Sequence, residues 1–256
     1  MSGQLQDVRI RRADARDTDA LTSLWSAVFG DPEELAASFL SLLPEMGSGC
    51  VAECGGRILG AAYLIHGYHL LCPGEAPLRC GYLYAVAVDG AFRGHGLGSA
   101  LSRGAAAFGR EAGAGQLFTL PAEDSLYAWY EDILSLRFRC TRTVYRCDAL
   151  PAAGSLSAAE YLRQREEILR DRPHAVPEPA VMEFQRRLCE TCGGGLYASD
   201  NLLFCAYRDG QEWFLPELLP REGAAPLPPA FRPVTRPYLC SDAAIPDGLV
   251  WNLTLD

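Results

Sequence analysis

Lysine is absent from the 256 residues, and all 23 basic side chains are arginine. Without lysine there is no Schiff-base amine, no Walker-type phosphate ligand and no lysine general base. Pyridoxal-phosphate enzymes, P-loop nucleotidases and ordinary protein kinases are thereby excluded. Long apolar runs are missing as well: stretches such as Ala61–Ile65 fall far short of the ~18 residues that a membrane span needs. Met1–Asp7 is polar, with no basic segment leading into an apolar one, so no export signal is expected. A metal-ligand pattern is lacking too. Cys189-Glu190-Thr191-Cys192 has no second pair to complete a zinc site, and Cys50/Cys54 and Cys72/Cys80 follow neither ribbon nor finger spacing. The ten cysteines therefore read as reduced, buried thiols of a cytoplasmic protein, with no metal.

What is present is ordinary for a folded chain: 49% hydrophobic and 21% charged residues, enough for one large domain or two small ones. The net charge of −9 argues against a nucleic-acid surface and favours cationic partners.

Val8 and Ile10 alternate with Arg9 and Arg11, which predicts a short strand with one buried face. Asp17 or Thr18 can cap a helix that carries Leu21, Leu24, Trp25 and Val28 on one side, and Pro32 can open a second helix through Leu43. Gly55-Gly56 joins two apolar stretches, Cys50–Cys54 and Arg57–Leu71, as a hairpin. A strand over Tyr82–Val88, a helix over about His95–Ala112, a strand over Gln116–Leu120, a helix to Leu134 capped by Asp124 or Ser125, and a strand over Phe138–Cys147 follow. This order predicts an α/β fold with a mixed sheet. Ala149–Ser157 reads as a linker between residues 1–148 and 158–256. Beyond it, helices are expected over Ala158–Arg170 and Glu178–Cys192. Strands are expected near Leu196–Ala198, Leu202–Tyr207, Glu212–Leu215 and Leu249–Leu255, with Leu219–Ala230 as loop.

The informative stretch runs from Tyr84 to Gly98: an apolar strand, then Arg93-Gly94-His95-Gly96-Leu97-Gly98, then an amphipathic helix. Glycines allow backbone N–H groups to curve around an anion, and the helix start adds its own unpaired donors. The result is a diphosphate site that needs no lysine. The dinucleotide fingerprint is not met, since Ser99 or Leu101 stands where its last small residue belongs. The Arg-x-x-Gly-x-Gly pattern of Arg93, Gly96 and Gly98 resembles the acetyl-CoA motif of the GNAT superfamily of N-acetyltransferases, as does the element order over residues 8–147.

The resemblance implies a GNAT-like fold with acetyl-CoA as co-substrate. The backbones of Val86, Ala87 and Val88 would pair with the pantetheine arm, and the amides of Arg93, Gly94, His95, Gly96, Leu97 and Gly98 would hold the pyrophosphate, with the His95 side chain on the phosphate or solvent side. It also implies a tyrosine acid on the helix after the fifth strand. Tyr130 fits that position and Tyr127 is the runner-up, although the Gly-Phe that should follow is missing and Phe138 comes eight residues on. Glu33, Glu34, Glu123, Asp124 and Glu131 are base candidates by location, and His66 and His69 face opposite sides of a strand. The C-terminal half, a smaller α+β unit ending in Trp251–Asp256, is similar to two-part GNAT proteins of the enhanced-intracellular-survival type. That likeness makes Asp256 a candidate base or amine anchor. The C-terminal half has no Arg-x-x-Gly-x-Gly of its own, since Gly193–Gly195 ends a helix where the motif would begin one, so one CoA site per chain is expected. The expected activity is acetyl transfer to an amine of a small cationic molecule or peptide, without nucleic-acid or membrane partners. The alternatives are a CoA-binding module without turnover and a nucleotide-dependent oxidoreductase.

Overall fold

The computed structural model describes residues 7–241, 245–246, 248–253 and 255. The chain divides into two compact units. The first comprises residues 1–68, 78–139 and 239–243; the second comprises 69–77, 140–238 and 244–256. This division does not follow the 149–157 segment: residues 140–148 and 69–77 belong with the second unit, and 239–243 with the first.

In the first unit, β1 (Arg9–Arg12), α1 (Thr18–Phe29) and α2 (Glu33–Met46) precede the long strands. β1 lies at the sheet edge, and its apolar face is not buried as expected, because Ile10 remains 37% exposed. The expected cap also moves. Asp14 caps a short 3-10 turn by accepting from the Arg16 N–H, and Asp17 commits its carboxylate to Arg11 at 2.7 and 2.8 Å instead of capping α1. β2 (Gly47–Cys54) and β3 (Arg57–Leu71) form the expected antiparallel hairpin. Cys54 pairs with Arg57 across Gly55 (φ 56°) and Gly56 (φ 80°), a two-residue turn whose positive φ values suit glycine. β4 (Leu78–Val88), α3 (Leu97–Glu111), β5 (Gln116–Thr119) and α4 (Ser125–Leu134) follow.

The sheet order is β1-β2-β3-β4-β5, extended by an antiparallel pairing of β5 with Leu239 and Cys240. β4 and β5 run parallel while β1, β2 and β3 alternate, so the sheet is mixed. Strand alternation divides the side chains between two faces. Ala62, Leu64, Leu101, Ala105 and Leu117 share one cluster with α3 and α4. Tyr63 instead meets the rings of Trp25 and Phe39 from α1 and α2 at 5.7 and 5.0 Å.

In the second unit, β6 (Phe138–Cys147), β7 (Gly154–Ser155), α5 (Ala158–Leu169), β8 (His174–Pro177), α6 (Pro179–Thr191), β9 (Gly195–Ala198), β10 (Leu202–Asp209), β11 (Glu212–Pro220) and β12 (Arg232–Cys240) are arranged as a sheet β6-β11-β10-β9-β7 with α5 and α6 packed on it. β6 begins, and β12 ends, in the first unit. Ala149–Ser157 is not a plain linker. Gly154 and Ser155 pair with Ala198 and Tyr197, and Ser157 caps α5 through the Glu160 N–H. The expected strand over Leu249–Leu255 is absent among the described residues, where Val250 makes only an isolated bridge to His174. β12 was not anticipated because Pro233 and Pro237 interrupt its donors.

At the centre of the second unit a buried ion pair joins α5 to β11. Arg165 Nε donates to both Glu217 oxygens at 3.0 and 3.1 Å, and Tyr161 Oη donates to Glu217 at 3.0 Å. All three residues are fully buried. Removing one charge leaves the other without compensation, so Glu217→Leu should cost about 3–5 kcal/mol in urea unfolding, and Arg165→Met with Glu217→Leu distinctly less.

Candidate active site

The site in the first unit begins where two strands part. Parallel pairing of β4 with β5 runs from Cys80–Gln116 to Leu83–Thr119 and stops there. Ala85 then adopts φ 48°, unusual for a residue with a Cβ. It shifts the alternation: Leu83, Val86 and Val88 all face the α3 and α4 cluster, although an unbroken strand would send Leu83 and Val86 to opposite sides. Residues 84–88 therefore continue without a β5 neighbour, and their edge borders a cleft.

The turn after β4 is held open by local bonds. Asp89 accepts from the Ala91 N–H at 2.9 Å and from Arg57 at 2.6 Å. Arg93 Nε donates back to Val88 O at 3.1 Å. Gly94 and Gly96 both have φ 80°, with nothing within 4 Å of a would-be Cβ, so their constraint is conformational and not steric. Ala100 is the first N–H of α3 to find an intrahelical acceptor, Gly96 O at 3.1 Å, which leaves Leu97, Gly98 and Ser99 N–H at the open helix end. No side chain caps this end, and its first turn carries no acidic residue. The helix dipole and these donors favour an anion here.

The cleft has a volume of about 630 Å³. Val86, Val88, Arg93, Gly94, Gly96, Leu97 and Gly98 line it, opposite Trp129 and Tyr130 of α4. Ala87 is buried on the other side of the strand, and His95 is exposed to solvent outside the cleft lining. Tyr130, 7% exposed, hydrogen-bonds to Thr119, the last residue of β5 paired with β4. Burial pushes its phenol up to about 12, with the Thr119 bond opposing the shift, so the hydroxyl keeps its proton. Tyr127 is directed elsewhere and packs under Arg139, whose guanidinium lies 5.1 Å from its ring.

Of the five carboxylates considered from the sequence, Glu123 lines the cleft. Glu131 pairs with Arg139 at 2.8 Å, and Glu33 and Glu34 line a separate shallow concavity beside Asp19. Asp124 makes no capping bond to α4. His69 bonds Glu178 at 2.9 Å within the second unit. Asp256 lies outside the described residues.

Leu134 and Ser135 stand where the Gly-Phe is missing. Helix α4 ends on Ser135 in the left-handed conformation (φ 57°, ψ 33°), and the fully buried Leu136 follows. Phe138 is 40% exposed and does not fill that position. Among the described residues no three His, Cys, Asp or Glu side chains are grouped to hold a metal. No described helix is long and apolar enough to cross a membrane.

A family model described as an acetyltransferase (GNAT) domain matches residues 9–131, the span that carries the parted strands, the turn and Tyr130. The chain has the GNAT acetyltransferase fold. GNAT domains are acetyl-CoA-dependent acyltransferases, and the matched span places this chain in that enzyme class. Solved structures agree on the fold. A GCN5-related N-acetyltransferase from Kribbella flavida is 14% identical with a TM-score of 0.62, covering 91% of this chain and 70% of that one. A putative acetyltransferase from Pyrococcus horikoshii is 14% identical with a TM-score of 0.59, covering 94% and 91%. Eis1 from Mycobacterium abscessus is 14% identical with a TM-score of 0.54, covering 78% of this chain and 53% of that one. No curated protein sequence matches the chain.

Two outcomes follow from the geometry. Gly96→Ala should lower stability by about 1–2 kcal/mol in denaturant titrations because alanine resists φ 80°. Gly98→Ala should not, since its Cβ would sit 3.5 Å from Trp129, an ordinary contact. The Tyr130 phenol also makes stability depend on pH. Its proton is held more tightly folded than unfolded, so its contribution is complete below pH 10 and is lost as pH rises toward 12. Across that window the wild type should lose about 2 kcal/mol relative to Tyr130→Phe, measured by urea unfolding at each pH.

Proposed function

We propose that the chain transfers the acetyl group of acetyl-CoA to a primary amine, with a small cationic molecule or peptide as acceptor. The observation that carries this reading is the convergence of two features on one cleft: an uncapped helix end with free N–H donors, and a tyrosine kept protonated where β4 and β5 separate. The amides from Arg93 to Gly98 would hold the diphosphate, and the unpaired edge formed by Val86, Ala87 and Val88 would take the pantetheine arm in the manner of an added strand. The cationic preference rests on the acidic balance of the chain.

The reaction is direct attack. A neutral amine nitrogen adds to the thioester carbonyl, the C–S bond breaks, and the departing thiolate takes the proton of the Tyr130 hydroxyl, which solvent then restores. The amine loses its own proton to water or to Glu123 at the cleft mouth. Orientation of the two bound substrates supplies much of the rate. The left-handed Ser135 and buried Leu136 stand one residue beyond the Gly-Phe places of the signature, so α4 still ends in a left-handed residue followed by a buried apolar one. The two-part organisation is read as similar to the enhanced-intracellular-survival type.

Acetyl-CoA should bind the wild type in calorimetry and should bind Gly96→Glu far more weakly; equal affinity in both would count against the assigned turn. In a CoA-release assay over an amine panel, Tyr130→Phe should lower kcat on the order of 100-fold. Tight binding with no turnover on any amine would favour the silent module.

A further inference from the structure

Trp129 is half-buried and lines the same cleft as the turn and Tyr130. Its indole atoms Cζ2 and Cη2 lie 3.5 and 3.6 Å from where a Cβ on Gly98 would be, so the ring lies against the first turn of α3. The same indole meets the Tyr130 ring edge to face, with centroids 4.6 Å apart and an interplanar angle of 64°. Neighbours one residue apart on a helix diverge by about 100° and do not ordinarily face each other. Here both rings turn into one cleft, and the indole lies between the first turn of α3 at Gly98 and the Tyr130 ring.

We propose that Trp129 is a positioning residue that ties occupation of the diphosphate turn to the placement of the Tyr130 hydroxyl. This rests on the acetyl-CoA reading of the cleft. An anion seated on the N–H groups of Leu97, Gly98 and Ser99 presses against the indole, and the indole fixes the phenol ring through its edge. A leucine at this position would fill part of the volume but would lose the edge-to-face contact with the phenol.

The test is a kinetic cycle on the full chain. Trp129→Leu should raise KM for acetyl-CoA several-fold and lower kcat on the order of tenfold, because a displaced acid meets the thiolate poorly. Trp129→Phe keeps an aromatic edge and should recover most of kcat. In a Tyr130→Phe background, Trp129→Leu should still raise KM but leave kcat unchanged, since the hydroxyl through which it acts is gone. The alkaline limb of kcat should also move to lower pH in Trp129→Leu, as water reaches the phenol. Equal kcat losses with and without the Tyr130 hydroxyl, or no loss at all, would overturn the inference while leaving the acetyltransferase reading intact. Failure of the wild type to bind acetyl-CoA would overturn both. If Trp129→Leu fails to fold, as judged by circular dichroism, Trp129→Phe decides: acetyl-CoA titration should change the tryptophan fluorescence of the wild type and leave that of Trp129→Phe unchanged, and an equal change in both would overturn the proposal.

Discussion

The site depends on the separation of β4 from β5. Parallel pairing ends at Leu83 and Thr119, and Ala85 adopts a positive φ immediately afterwards. Had the pairing continued, the backbone of residues 84–88 would be consumed by a neighbour and no cleft would open beside it. The strain of a left-handed alanine, of order 1–2 kcal/mol, is borne by the surrounding sheet and by the aromatic packing of Tyr84 against Trp25 and Phe39. The same junction places Thr119 against Tyr130, so one local departure from regular pairing both opens the cleft and sets the Tyr130 phenol, the proposed acid, at its edge.

The absence of lysine shapes how the chain handles charge. The anion recognition proposed for the cleft would fall to main-chain donors and a helix end, whose geometry is set by φ and ψ and does not titrate. Arg93 turns back to Val88 O and acts in the turn as a structural tie. Elsewhere arginines pair repeatedly with carboxylates: Arg11 with Asp17 and Glu53, Arg163 with Glu160 and Glu167, Arg165 with Glu217. A guanidinium suits such forked contacts and remains charged throughout the useful pH range.

Much of the fold was legible because the cues were local. Gly55-Gly56 specified the hairpin turn, the periodicity of Leu97, Leu101 and Ala105 specified α3, and Phe138–Cys147 was read with the bounds the structure has. Where partners are distant, local reading failed. β12 looks like proline-rich loop, yet Leu239 and Cys240 find partners on β5. Leu249–Leu255 alternates like a strand, but among its described residues only Val250 makes a bridge. Ser135 gave no sign of adopting the conformation usually left to glycine, because nothing in a serine's own chemistry calls for it.

By itself the sequence determined the glycine-rich turn for which diphosphate binding is proposed: the order of apolar strand, arginine, spaced glycines and amphipathic helix leaves backbone donors few other arrangements. Only the tertiary structure decided which groups face that turn. Tyr130 over Tyr127, Glu123 over four other carboxylates, and the indole of Trp129 between turn and phenol all depend on how α4 settles against α3 and the end of β5. That packing is a sum of contacts between segments distant in the chain, and no local pattern of residues encodes it.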